Sequence, residues 1–118
     1  TQVTVLKLES CSINDEIAPL IFKLLADTAI VDLNLDDSRF TAMMAANCAA
    51  FCKYTSLQKI SIWDGNLGDG GVFDFVKNLA DSKVAVLDLT ENDITEAGYL
   101  AIAPLIPYTQ LTQIIDTN

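Results

Sequence analysis

Four stretches of the 118-residue chain carry chemically capable residues at suggestive spacings. Gly65-Asn-Leu-Gly68-Asp-Gly70-Gly71 lies between a strand pattern and a helix pattern, where backbone N–H groups can cradle phosphate. No Lys-Ser/Thr pair follows it, and the spacing is not Gly-x-Gly-x-x-Gly, so phosphate binding lacks its chemistry. Asp32-x-Asn34-x-Asp36-Asp37 opens like a calcium loop. Asp37, however, stands where the sixth-place glycine is needed, and Met43 where the bidentate glutamate is needed. Asp88-x-Thr90-x-Asn92-Asp93 fails likewise, with Tyr99 in the twelfth place. Cys48 and Cys52 share a helix face at a spacing of four, but two thiolates alone do not make a zinc site. The chain has no histidine, which removes Ser–His and Cys–His nucleophiles. Nothing singles out a carboxylate pair for acid–base work. No catalytic residue, metal site or cofactor is expected, and the chain is not expected to be an enzyme.

Composition narrows the partners. Sixteen acidic residues against seven basic ones give a formal charge of -9. Phosphate backbones and anionic lipid are disfavoured, and a basic protein surface is favoured. The alternative is that the charge only keeps the chain soluble. Three cysteines with no framework spacing point to a reducing, cytoplasmic compartment. No apolar run approaches the roughly 20 residues of a membrane span. The start, Thr1-Gln-Val-Thr, carries no signal-peptide pattern and no initiating Met, as expected of a processed chain or a piece of a longer one.

The elements that position these residues recur. Leu6, Leu33, Ile60, Leu87 and Ile114 fall 27 residues apart, as do Leu8, Leu35, Ile62 and Leu89. Ile13, Phe40, Leu67 and Ile94 keep the step, and so do Val3, Ile30, Leu57, Val84 and Leu111. Each unit opens with alternation, as in Leu6-Lys7-Leu8, which predicts a short strand with one buried face. A helical stripe follows: Ile17, Leu20, Ile21, Leu24 and Leu25 in the first unit; Met44, Cys48, Phe51 and Cys52 in the second. Val72, Phe75, Val76 and Leu79 form the third stripe, and Leu100, Ile102, Leu105 and Ile106 the fourth. Asn14, Thr41, Gly68 and Thr95 precede the helices as N-caps. Each helix is expected to run roughly 12 residues within its 27-residue unit. Pro104 predicts that the fourth ends early.

This pattern, L-x-x-L-x-L-x-x-(N/C)-x-(I/L) followed by a helix, resembles the leucine-rich repeat. A full helix per unit is similar to its ribonuclease-inhibitor-like and tropomodulin/RanGAP-like classes. The resemblance covers residues 3–118. It implies an α/β solenoid, a horseshoe arc with a parallel sheet on the concave side and helices on the convex side, in four 27-residue repeats plus a partial fifth. It treats 1–118 as a single domain, a segment of a longer protein. The family's asparagine ladder is filled here by Cys11, Ser38, Gly65 and Asn92, so a looser or hydrated turn is expected at Gly65. Asp116 replaces the second strand leucine of the last unit. No polar cap is visible at either end, which allows self-association through uncapped ends.

Strand alternation sends the residues between the buried leucines to the open sheet face. The candidate partner-binding set there is Asp32, Asn34, Asp36, Asp37, Lys59, Trp63, Asp64, Asp88 and Glu91. Asp37, Asp64 and Glu91 are expected to form an acidic ridge beside Trp63, which either anchors a partner or folds over its own sheet. The leading expectation is a protein-interaction module binding a basic protein partner, with no nucleic acid and no membrane. The alternatives are regulation of an enzyme or of actin, by family analogy, and a purely structural segment of a larger array. RanGAP-like members need a specific arginine, and Arg39, the only one, stands in a turn.

Overall fold

A computed structural model describes residues 2–117. Alternating strands and helices run β1 (Val5–Lys7), α1 (Ile17–Leu24), β2 (Asp32–Asn34), α2 (Ala42–Cys48), β3 (Lys59–Ser61), α3 (Gly68–Lys77), β4 (Val86–Asp88), α4 (Glu96–Ile102) and β5 (Gln113–Ile115). The strands form one parallel sheet in chain order. Their register sets Leu6, Leu33, Ile60, Leu87 and Ile114 side by side, so the 27-residue step of the sequence is the step of the ladder.

The core follows from that register. Leu33, Leu35, Leu57, Ile60, Ile62, Val84, Leu87 and Leu89 are buried between the sheet and the helices. Leu6, Leu8 and Ile114, on the end strands, are half-buried because only one neighbour covers them. Phe22, Phe40 and Phe75 run through the centre, with ring centroids 6.2 Å and 6.1 Å apart, within the range where tilted and edge-on rings attract.

The helices depart from expectation in three ways. They are shorter, at 8, 7, 10 and 7 residues. α4 does end at Ile102, before Pro104, and passes into a 3₁₀ segment, Ala103–Tyr108. But α2 ends at Cys48, 54 residues earlier, and passes into the matching segment Ala49–Tyr54 with no proline. Proline is therefore not the only cause, and the tighter winding belongs to alternate segments. Third, α1 buries Ala18, Phe22 and Leu25, leaving Ile17, Leu20 and Leu24 exposed; α4 likewise exposes Leu100 while burying Gly98 and Ile102. α1 is apolar on two faces, and the aromatic area of Phe22 decides which one turns inward.

Capping is shared between segments. Asn14 Oδ1 accepts from the N–H groups of Glu16 and Ile17, and Thr41 Oγ1 from that of Met44. Thr95 occupies the N-cap position of α4, as expected, but its side chain makes no cap bond to the helix. Its hydroxyl and N–H donate instead to the Asp69 carboxylate on α3, at 2.6 and 2.7 Å. Gly98 leaves room for that carboxylate, which a Cβ would overlap. A hydroxyl column closes the segments: Thr28, Thr55, Ser82 and Thr109 each donate to the carbonyl three residues earlier, at 2.7–3.0 Å. Each also accepts from the N–H two residues later.

The ladder position corrects the loose turn expected at Gly65. The buried carboxamide of Asn92 donates to the carbonyl of Ile62, at 2.6 Å, and to that of Leu89. It occupies the space beside Gly65, where an added Cβ would lie 2.6 Å from Asn92 Oδ1. The turn is filled by the side chain of its neighbour. At the last strand the Tyr99 hydroxyl donates to Asp116, a polar closure of the column that holds Leu35, Ile62 and Leu89. Among the described residues no helix is long and apolar enough to cross a membrane.

Candidate interaction surface

The pleat aligns Val5, Asp32, Lys59, Val86 and Gln113 in one column, and Lys7, Asn34, Ser61, Asp88 and Ile115 in another. Beyond the strands the chain turns sharply. Ser10, Asp37, Asp64 and Glu91 all adopt left-handed backbone, with φ between 55° and 61°. Adjacent parallel strands lie about 4.8 Å apart, so this repeated turn keeps the three acidic side chains on one rim. All three are exposed.

Not every candidate acid is free. Asp36 Oδ1 accepts from Ser61 Oγ at 2.6 Å and from the Trp63 N–H at 2.7 Å, tying β2's end to β3's. Asp88 Oδ1 accepts from the N–H and hydroxyl of Thr90. Asn34 is used twice, donating to Glu9 and accepting from the Asp36 N–H. These three position the surface. Lys59 is exposed and Asp32 half-buried. Trp63 is 39% exposed, so its ring is part surface and part packed against the molecule.

Asp37 and Asp64 are close enough to share a hydrogen bond. Lost hydration, that bond, and repulsion from Asp64, Asp36 and Glu9 push the Asp37 carboxyl above the usual carboxylate range. A rim depression of about 510 Å³ lies beside the pair, lined by Asp37, Arg39, Thr41, Asp64, Gly65 and Asn66. Arg39 thus joins the acidic rim, a placement that periodicity gives no sign of. Like charges held together this way favour an approaching cation, whereas the tied acids Asp36 and Asp88 have less to gain from one.

The sequence matches no protein-family model and no curated protein. The fold is similar to that of a solved structure, the actin-binding site 2 of leiomodin-1, with a TM-score of 0.84. The two chains are 15% identical, and the match covers 98% of this chain and 70% of that one. At that identity the likeness bears on fold alone. The architecture is leucine-rich-repeat-like: a parallel sheet of five strands with four helices.

Proposed function

We propose that this chain is a protein-interaction module that binds a basic protein partner through the acidic, Trp63-bearing face of its sheet. The carrying observation is the left-handed turn repeated at Asp37, Asp64 and Glu91, which holds three exposed acids on one rim beside a partly exposed tryptophan. A lysine or arginine of the partner would relieve the repulsion between Asp37 and Asp64, and the indole face would add a cation–π contact. Asp32, Lys59 and Glu91 widen the contact, while Asn34, Asp36 and Asp88 hold its shape. Nucleic acid and membrane are poor partners for a chain of net charge -9. The chain acts without cofactor or catalytic residue, in the cytoplasm.

We place it in the ribonuclease-inhibitor-like class, as four 27-residue repeats and part of a fifth within a longer protein. Helices pack 8–10 Å apart and strands about 4.8 Å apart, so a one-to-one stack must bend toward its sheet. That geometry supports a horseshoe arc with the acidic face on its concave side. The test is capture of partners from cell extract at low and high salt, with wild-type chain and with Trp63→Ala/Asp64→Ala. Partners held at low salt and lost in the double variant support this face. Equal recovery by both proteins refutes it.

A second reading, actin binding, is favoured by the similarity in fold to an actin-binding site of leiomodin-1. Co-sedimentation with actin filaments decides it: pelleting with filaments supports the reading, and a chain left in the supernatant at saturating filament concentration ends it.

A further inference from the structure

We propose that two copies of this chain associate through α1, the helices crossing antiparallel about a two-fold axis with Ile17, Leu20 and Leu24 at the contact. These residues are 45, 55 and 76% exposed and fall at i, i+3 and i+7, a single stripe on one side of the helix. The opposite side, Ala18 and Phe22 with Leu25 just beyond the helix, is already committed to the core.

The 27-residue register shows what such a stripe needs. The counterparts of Leu20 are Asn47, Asp74 and Ala101, of which Asn47 and Ala101 are exposed and Asp74 half-buried. Asn47 and Asp74 belong to α2 and α3, each with a helix packed on both sides. Side-by-side stacking therefore leaves this column in contact with water. A further segment of the same kind, added beyond β1, would cover Ile17, whose counterparts Met44, Gly71 and Gly98 are buried, and would leave Leu20 and part of Leu24 to carry the contact. The occupant must approach from outside the helix layer.

A second copy has the required chemistry. A two-fold contact sets a surface against itself, so an apolar stripe meets an equal stripe. Asp15 and Glu16 precede the first turn of α1, and Lys23 lies in its last turn. An antiparallel crossing puts Lys23 of each copy beside Glu16 of the other, and opposes the helix dipoles favourably. A parallel crossing would set like charges together. The contact lies on the helix layer and leaves the acidic sheet face free.

Sedimentation equilibrium of the 118-residue chain, from micromolar to millimolar concentration, tests this. We expect a monomer–dimer equilibrium. Leu20→Glu should raise its dissociation constant about tenfold or more, with the unfolding midpoint little changed because Leu20 is 55% exposed in the monomer and lies outside the core. Lys23→Glu and Glu16→Lys should each weaken the dimer, since each sets like charges together. A mixture of the two should form a heterodimer as tight as wild type. A chain monomeric throughout would overturn the proposal. So would a dimer indifferent to Leu20→Glu, or a mixture no tighter than its components.

Discussion

The close fit of Asn92 over Gly65 makes a quantitative demand. Asn92 is buried, and its carboxamide serves the carbonyls of Ile62 and Leu89 at 2.6 and 3.1 Å. Asn92→Ala strands these acceptors and leaves a small void, costing about 2–4 kcal/mol. Gly65→Ala meets a different obstacle. Gly65 has no left-handed backbone, so alanine adds no strain there, but its Cβ would stand 2.6 Å from Asn92 Oδ1. Displacing that amide costs about 1–3 kcal/mol. Once Asn92 is gone, the nearest atoms to that Cβ are Phe40 O at 3.1 Å and Ile62 Cγ2 at 3.2 Å. The remaining squeeze is then offset by about 0.4–1 kcal/mol from a stiffer unfolded chain. The two changes should thus be strongly non-additive, with the double variant close in stability to Asn92→Ala alone. Urea unfolding of the four proteins measures this directly. A double variant whose loss equals the sum of the single losses, to within about 0.5 kcal/mol, would refute the fit as described.

Two further outcomes follow from the same structure. The Thr95 hydroxyl and N–H hold the Asp69 carboxyl below its ordinary value of 3.8, so this stabilisation is present above that pH and lost as pH falls through the depressed value. Asp69→Asn should be less stable than wild type at pH 7 and converge with it in acid; urea midpoints that differ equally at every pH would contradict the assignment. Burial pushes the thiols of Cys48 and Cys52 up to about 12, while Cys11 is exposed. At pH 8 a thiol reagent should titrate one cysteine in native protein and three in urea, and a second rapid equivalent from native protein would show the α2 layer to be open.

Residues that act within a column were readable from sequence. Leu33, Ile60 and Leu87 announce the strand register because no insertion disturbs the 27-residue step, and period-two alternation assigns Lys59 and Trp63 to the outer surface. The hydroxyls Thr28, Thr55, Ser82 and Thr109 keep the same step and are equally legible. What periodicity could not convey was partnership across columns. Asp36 faces outward like Asp37, yet it is tied to Ser61 and the Trp63 backbone, 25 and 27 residues on. Thr95 has the composition of a cap, and only the approach of Asp69 diverts it. The face chosen by α1 was ambiguous because both sides are apolar, so tertiary contact with Phe40 had to choose.

The 3₁₀ segments Ala49–Tyr54 and Ala103–Tyr108 recur at 54 residues, not 27. So do the left-handed residues Arg39 and Asp93. Neighbouring segments are thus two kinds of brick laid alternately. Copying one brick would set two of a kind side by side, at a joint found nowhere in the molecule. Copying a pair keeps the alternation of 3₁₀ segments. A lineage lengthening this wall could grow smoothly only two courses at a time.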